Sequence, residues 1–496
     1  NILNMLDLGG IPFFSKDRGE DMPIICAGGP CAYNPEPLAD FIDFFMLGEG
    51  EELIMEVMDV YRQVKNRGGK KDDFLREIAT IEGVYVPKFY DVTYHADGTI
   101  KSFTKNETCA PDKIKKRIIK DFDHCFAPDK IIVPFMEIVH DRIMLEIFRG
   151  CIRGCRFCQA GMIYRPVRER SPKTLLDLAE RLINNTGYEE ISLSSLSTSD
   201  YTRLPELTDG LLRLTEQKKM NLSLPSLRLD NFSMELMQKV QKVRKSGLTF
   251  APEAGTQRLR DVINKNITEQ DLENAAKTAF LGGYGTIKLY FMIGLPTETD
   301  DDIIGIAKLA DEVVSIYKHT PKEVRNKNLR VGVSVSSFVP KPFTPFQWFG
   351  QNTKETLFEK QMLLKDAIKN RYVSYNWHDA SLSILEGVFA RGDRKLSAVL
   401  VEAHRLGAKF DSWHEFFNMD VWQTAFLNTG IDPSFYNARE RSYEEILPWD
   451  HIDVGVSKAF LMNENEKAKK GEPTANCREK CAGCGIISSF GGGLCG

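Results

Sequence analysis

The stretch Arg149-Gly-Cys-Ile-Arg-Gly-Cys-Arg-Phe-Cys-Gln-Ala-Gly161 sets Cys151, Cys155 and Cys158 at C-x3-C-x2-C spacing. The apolar run before it, Ile143 to Phe148, reads as a β-strand, so the cysteines lie on the loop leaving a strand end. Thiolates at this spacing can converge on one soft metal centre, and in an intracellular chain the candidates are zinc and an iron–sulfur cluster. A structural zinc site takes four ligands, usually as two C-x2-C pairs. No matching Cys or His pair follows within ~30 residues, where zinc patterns of this kind place it. A [4Fe–4S] cube normally takes four cysteines, so three leave one iron open to a substrate or cofactor.

With Phe157 before the last cysteine, the motif resembles the signature of the radical S-adenosylmethionine (radical SAM) enzymes. The resemblance implies that SAM chelates the open iron through its amino and carboxylate groups, and that an electron from the reduced cluster cleaves the sulfonium. The resulting 5′-deoxyadenosyl radical would abstract a hydrogen atom. An electron donor of flavodoxin or ferredoxin type is implied as partner. A zinc knuckle or redox thiols are the competing readings.

Outward from this loop, strands and helices alternate. Ile143–Phe148, Glu190–Ser194, Leu222–Leu229, Leu248–Ala251, Thr286–Ile293 and Arg330–Phe338 read as strands, and Thr174–Asn184, Met234–Val243, Glu269–Leu281 and Asp301–Tyr317 as helices. Alternation argues for a parallel sheet with right-handed crossovers. Six units match the partial (β/α)6 barrel of the radical SAM fold, whose reactive groups gather at the C-terminal strand ends.

The strand ends carry the remaining candidates. By resemblance the backbone of Phe157 touches adenine, and Ser194 and Ser195 stand where other members bind the SAM amino group; a Ser-rich turn is the bland alternative. Arg228 is expected to meet the SAM carboxylate, with surface pairing as its alternative. Ala251-Pro-Glu-Ala-Gly-Thr256 resembles the Glu-x-Gly-Ser turn of methylthiotransferase-like members, so Glu253 is expected to accept from ribose or an amino group. A helix N-terminal carboxylate would explain it equally. Gly294, in Gly294-Leu-Pro, allows close backbone approach beside adenine. Arg165, Arg168 and Arg170 read as a solvated loop, an anionic ligand being the second reading.

Residues 1–80 resemble the last part of a Rossmann-like cobalamin-type domain, through Gly28-Gly-Pro30 and Gly48-Glu-Gly-Glu51. The chain starts without methionine, which reads as a truncated N-terminus, and no Asp-x-His-x-x-Gly cobalt-ligand motif occurs in it. A scaffold that never binds cobalamin is the preferred reading. Residues 81–142 read as a connector with a hairpin, Val84-Tyr-Val and Val92-Thr-Tyr flanking the Asp97-Gly98 turn signal. Within it, Lys113–Lys120 reads as a solvated basic face. Residues 143–345 form the expected barrel, 346–462 a helical C-terminal region and 463–496 a tail.

That tail repeats the spacing at Cys477, Cys481 and Cys484, as a second iron–sulfur cluster with Cys495 as fourth ligand, or as a zinc knuckle. Cys26, Cys31, Cys109 and Cys125 read as ordinary thiols, and His378, His404, His414 and His451 as helix-face residues.

Composition narrows the function classes. The 496 residues suggest about three domains, and 42% hydrophobic content suffices for packed cores. No run of 18 apolar residues and no signal peptide is visible. Eleven cysteines, six of them in two tight clusters, suit a reducing cytoplasm rather than a disulfide framework. A net charge of −4 gives no global case for nucleic acid.

The expectation is a cytoplasmic radical SAM enzyme, resembling a bacterial family with a degenerate cobalamin-type domain and a barrel similar to methylthiotransferases. Its substrate would be RNA or protein, and a small companion domain is an implied partner. A non-catalytic iron–sulfur or zinc scaffold in RNA or ribosome maturation is the alternative.

Overall fold

The computed structural model describes residues 1–136, 138–224, 228–229 and 248–491. The expected helix Met234–Val243, most of the last turn of the expected strand Leu222–Leu229, and Cys495 lie outside the described residues. Contacts divide the chain into two compact units.

The unit carrying the first cysteine loop comprises residues 120–338, 355–378 and 457–496. Its strands are β1 (Ile143–Glu146), β2 (Glu190–Ser194), β3 (Asn221–Ser223), β4 (Leu248–Glu253), β5 (Thr286–Ile293), β6 (Arg330–Ser337) and β7 (Val373–Trp377). They form two sheets, β3-β2-β1 and β4-β5-β6-β7, with every pair parallel. The crossovers include α1 (Pro172–Thr186), α2 (Leu204–Lys218), α3 (Glu269–Leu281), α4 (Asp300–His319) and α5 (Lys354–Ala367). This is the α/β radical SAM architecture expected from the alternation.

Local sequence explains these elements. In α1, the Ser171 hydroxyl caps the Thr174 N–H, Pro172 occupies the first turn where no N–H is needed, and Gly187 closes the helix at φ +72°. In α4, Thr299 and Asp302 form a capping box, three aspartates open the first turn, and Lys318 and His319 sit in the last, complementing the dipole. Strand β5 alternates, burying Ile287, Leu289, Phe291 and Ile293 while Thr286, Lys288 and Tyr290 stay exposed, so one face of its sheet is packed. In the other sheet, Ile143, Leu145, Ile191 and Leu193 pack with Leu175, Leu178, Leu207 and Leu211 of α1 and α2. Each such burial contributes about 1.5–3 kcal/mol.

Within residues 346–462, expected as a helical region, β7 adds one strand. Val373–Trp377 pairs in parallel with β6 as an edge strand, and its half-exposed pattern hid it.

The second unit comprises residues 1–119, 339–354 and 379–456. Cys26–Gly28 pairs parallel to Phe44–Met46, which pairs antiparallel to Val84–Tyr85. The hairpin is therefore not the expected one. Val84 joins the N-terminal sheet, and Tyr90–Tyr94 pairs with Ile100–Lys105 across the Asp97-Gly98 turn, where the Asp97 carboxylate accepts from the Thr99 N–H. Helices Ala380–Ala390, Leu396–Arg405 and Met419–Thr429 share a core through Val388, Val399 and Ala425. Arg394 and Glu36 pair at 2.9 Å, joining the helical and N-terminal segments of this unit.

The stretch Lys113–Lys120 is not a solvated face either. Ile114–Lys115 pairs with Ile452–Asp453, Lys116 is buried, and Arg117 pairs with Glu56 at 2.6 Å. Of the four histidines expected on helix faces only His404 lies on a helix; His378 follows β7, His414 lies in a turn, and His451 is buried against Phe103 with ring centroids 4.2 Å apart. The exposed Cys26 and Cys31 and the half-buried Cys109 and Cys125 are unbridged thiols. Among the described residues no helix is long and apolar enough to cross a membrane.

Candidate active site

The cysteine loop leaves β1 through Phe148–Arg149, which pairs antiparallel with Arg168–Glu169 and closes the loop at its base. Gly150 makes the exit turn at φ +85°, where a Cβ would lie 2.6 Å from the Pro166 carbonyl oxygen. Two thiol sulfurs accept backbone N–H groups, Cys151 from Arg153 and Cys158 from Gly161, both at 3.4 Å. Burial, then the neighbouring thiol Cys155, pushes the Cys151 pKa up to about 12 and that of Cys158 up to about 11. In the apo chain these two sulfurs hold their protons, and a bound cation must displace them.

Buried arginines hold the loop. Arg156, between two of the cysteines, donates to Glu464 at 3.0 and 3.1 Å and to the carbonyls of Val262 and Glu472. Arg165 donates to the carbonyls of Gly161 and Arg153, and Arg170 lies over the Phe122 ring. Arg165, Arg168 and Arg170 are all buried, which corrects the solvated reading: their guanidinium groups satisfy loop carbonyls instead of meeting water or a ligand. Arg153 forms a forked pair with Asp200, at 2.9 and 2.5 Å, and Ser197 donates to the same carboxylate at 2.7 Å. Burial alone would raise the Asp200 pKa, but these hydrogen bonds and the Arg153 and Arg228 charges outweigh it and hold the carboxyl below its usual range.

Beside the loop opens a pocket of about 230 Å³, lined by Cys151, Cys155, Cys158, Phe157, Arg228 and Glu253 together with Arg153, Leu196, Ser197, Leu229, Ala251, Lys265 and Ile267. Of the residues singled out from sequence, it thus brings together the three cysteines, Phe157, Arg228 and Glu253. Ser194 and Ser195 are not in the lining. The Ser194 carbonyl accepts from the Ile147 N–H, and the Ser195 hydroxyl bonds to Thr198. Gly294 turns the chain after β5 at φ +81° and donates to Glu298 at 2.7 Å, outside the pocket.

Glu253 sits at a bulge in β4 with φ +70°, a conformation that costs energy for any residue but glycine. It precedes the helix Gln257–Val262, whose N-cap is Thr256, so it is not a first-turn carboxylate. Its partner is Lys265, at 3.1 Å, whose backbone carbonyl also accepts from Arg228 at 3.1 Å. Gly255 brings the turn against α4: a Cβ there would lie 2.1 Å from the Asp302 carbonyl oxygen. Sequence reasoning missed Lys265 and Ser197. Lys265 lies in a turn without a motif, and Ser197 is one hydroxyl among several in Ser192–Asp200.

Among the described residues no three His, Cys, Asp or Glu side chains close on a point that one ion could occupy. The donors at this loop are all thiols on one short segment, a set that suits the separate irons of an iron–sulfur cube.

A family model described as the radical SAM superfamily matches residues 145–310, and one described as radical SAM proteins, N-terminal, matches residues 1–87. The chain is 33% identical over 393 residues to an uncharacterized protein of Methanocaldococcus jannaschii, covering 78% of this chain and 75% of that protein. It is 24% identical over 192 residues to a putative methylthiotransferase of the same organism, covering 36% of this chain and 42% of that one. The solved structure of a radical S-adenosylmethionine methyltransferase from Kitasatospora setae aligns with a TM-score of 0.44 at 13% identity, over 64% of this chain and 57% of that chain. The chain spans about three quarters of the first relative's length and less than two thirds of the other two.

Proposed function

Because the chain belongs to the radical SAM superfamily, we propose that Cys151, Cys155 and Cys158 hold its [4Fe–4S] cluster and that the adjoining pocket takes S-adenosylmethionine, for methylation or sulfur insertion on an RNA or protein. The chain is a radical SAM enzyme, and the cofactors of its superfamily are the cluster and SAM. When bound, the cluster supplies the electron that cleaves the sulfonium. A soluble one-electron donor of flavodoxin or ferredoxin type would renew it.

The chain's own residues prepare this chemistry. Three thiols on a loop pinned by Arg156 and Arg165 would hold the cluster as a donor set of fixed shape. Arg228 offers a fixed cation to the SAM carboxylate, and Glu253, braced by Lys265, offers an acceptor to an amino or ribose hydroxyl group. Phe157, Leu196, Leu229 and Ile267 line the same space with apolar surface, which excludes water from a reactive intermediate.

The observation that carries this reading is convergence. The loop after β1, the segment after β3 and the end of β4 bring the thiols, the Arg228 guanidinium and a strained glutamate to one pocket. A non-catalytic scaffold needs thiols but no such pocket. The similarity to a putative methylthiotransferase supports methylation or sulfur insertion as the reaction class.

The test is anaerobic reconstitution, reduction by dithionite with SAM, and an assay for 5′-deoxyadenosine beside a Cys151→Ala control. Nucleoside from the wild type and none from the control is the expected result. A loaded cluster without SAM cleavage, even with cell extract supplying substrate, would return the chain to the scaffold reading.

A further inference from the structure

The pocket uses one of two C-x3-C-x2-C sets; the other, Cys477, Cys481 and Cys484, lies apart from it in the same unit. Three ties fix its place. The Cys477 N–H donates to the Ile152 carbonyl, next to Cys151, at 3.0 Å. Arg478 pairs at 2.8 Å with Glu169, on the short strand that closes the first loop. The Cys484 carbonyl accepts at 2.9 Å from the N–H of Ser457, which caps helix α6 (Lys458–Lys470).

The segment is also shaped for wrapping. Gly483 and Gly485 turn the chain at φ +69° and +102°, positions that curl a short loop tightly. Cys477 and Cys481 are exposed, Cys484 is half-buried, and all three are unbridged.

We infer that Cys477, Cys481 and Cys484 hold a second [4Fe–4S] cluster, separate from the first and facing solvent. Zinc fits the donor set less well. It requires four ligands within about 2.3 Å of one point when these are thiolates. The described residues 457–491 contain these three cysteines and no histidine, one donor short of a zinc set of Cys and His. A [4Fe–4S] cube can be held by three thiolates, as proposed for the first loop.

The whole chain, reconstituted anaerobically with ferrous iron and sulfide and then desalted, is assayed for iron, sulfide and zinc, with electron paramagnetic resonance after reduction. The wild type should hold about eight irons, and Cys151→Ala/Cys155→Ala/Cys158→Ala about four. Cys477→Ala/Cys481→Ala/Cys484→Ala should likewise fall to about four, with a spectrum distinct from that of the first-loop variant. The single Cys481→Ser change, at an exposed position, guards against misfolding: it should lower iron or alter the second spectrum while circular dichroism stays unchanged. About four irons in the wild type, none left in the first-loop variant, or one zinc in the wild type that the tail variant loses would overturn the inference. The first-loop variant measures the second centre without reference to SAM cleavage, so failure of the catalytic reading leaves this test intact.

Discussion

Arg156 and Glu464 are joined by two hydrogen bonds, at 3.0 and 3.1 Å, across 308 positions of sequence, and both side chains are almost fully buried. A guanidinium between two proposed cluster ligands is thereby neutralised by a helix near the far end of the chain. Removing the carboxylate leaves a buried charge without its counter-ion, which costs about 3–5 kcal/mol. Glu464→Ala is expected to lower the melting temperature and the iron retained after desalting. An unchanged melting curve would show that the backbone carbonyls of Val262 and Glu472 suffice for Arg156.

Gly255 leaves room for α4 against the turn that carries Glu253. Its Cβ would clash with backbone rather than with a yielding side chain, so Gly255→Ala is expected to destabilise by about 1–3 kcal/mol or more. Urea unfolding with an unchanged slope and a lowered midpoint is the corresponding observation.

Lys265 supports Glu253 in a left-handed conformation beside the cysteines. Lys265→Met removes a charged hydrogen bond worth about 1.5–3 kcal/mol, so SAM binding should weaken by about ten- to a hundredfold. Calorimetric titration of anaerobically loaded protein reads this directly, with iron content expected at the wild-type level.

His451 supplies a pH dependence of known sign. Burial, reinforced by the Arg394 charge, lowers its pKa from 6.5 to about 3. The unfolded chain takes up a proton that the folded chain refuses, so this contribution is full above about pH 6.5 and is lost progressively as pH falls toward 3. His451→Phe keeps the stack on Phe103, costs less than about 1.5 kcal/mol at pH 7, and should flatten the acid side of the stability profile. An unaltered profile would assign the acid sensitivity to other groups.

Much of the barrel was legible because alternation in Glu190–Ser194 and Thr286–Ile293 matches their strands residue for residue. Val373–Trp377 escaped, and Val84–Tyr85, read as a hairpin arm, was given the wrong partner, for a common reason. Val84–Tyr85 and Val373–Trp377 are short or edge-lying, and their partners come from distant sequence, which local pattern cannot weigh. Charge misled at Arg165, Arg168 and Arg170. A basic loop reads as solvated, whereas these side chains satisfy carbonyls that the tight turn leaves without strand partners. At the site, Phe157, Arg228 and Glu253 followed from the family resemblance of their strand ends, but Lys265 became visible only when the fold brought its turn back to β4.

The ties between the first cysteine loop and the segment around Glu464, Thr474 and Cys477 also order events during synthesis. The Ile152 carbonyl and the Arg156 guanidinium meet the Cys477 N–H and the Glu464 carboxylate only after some three hundred further residues have left the ribosome. A nascent chain extended through the barrel alone presents a loop short of these ties. Iron delivered at that stage meets a loop without its final shape, so termination upstream of Glu464 is expected to lower the iron that a chain retains.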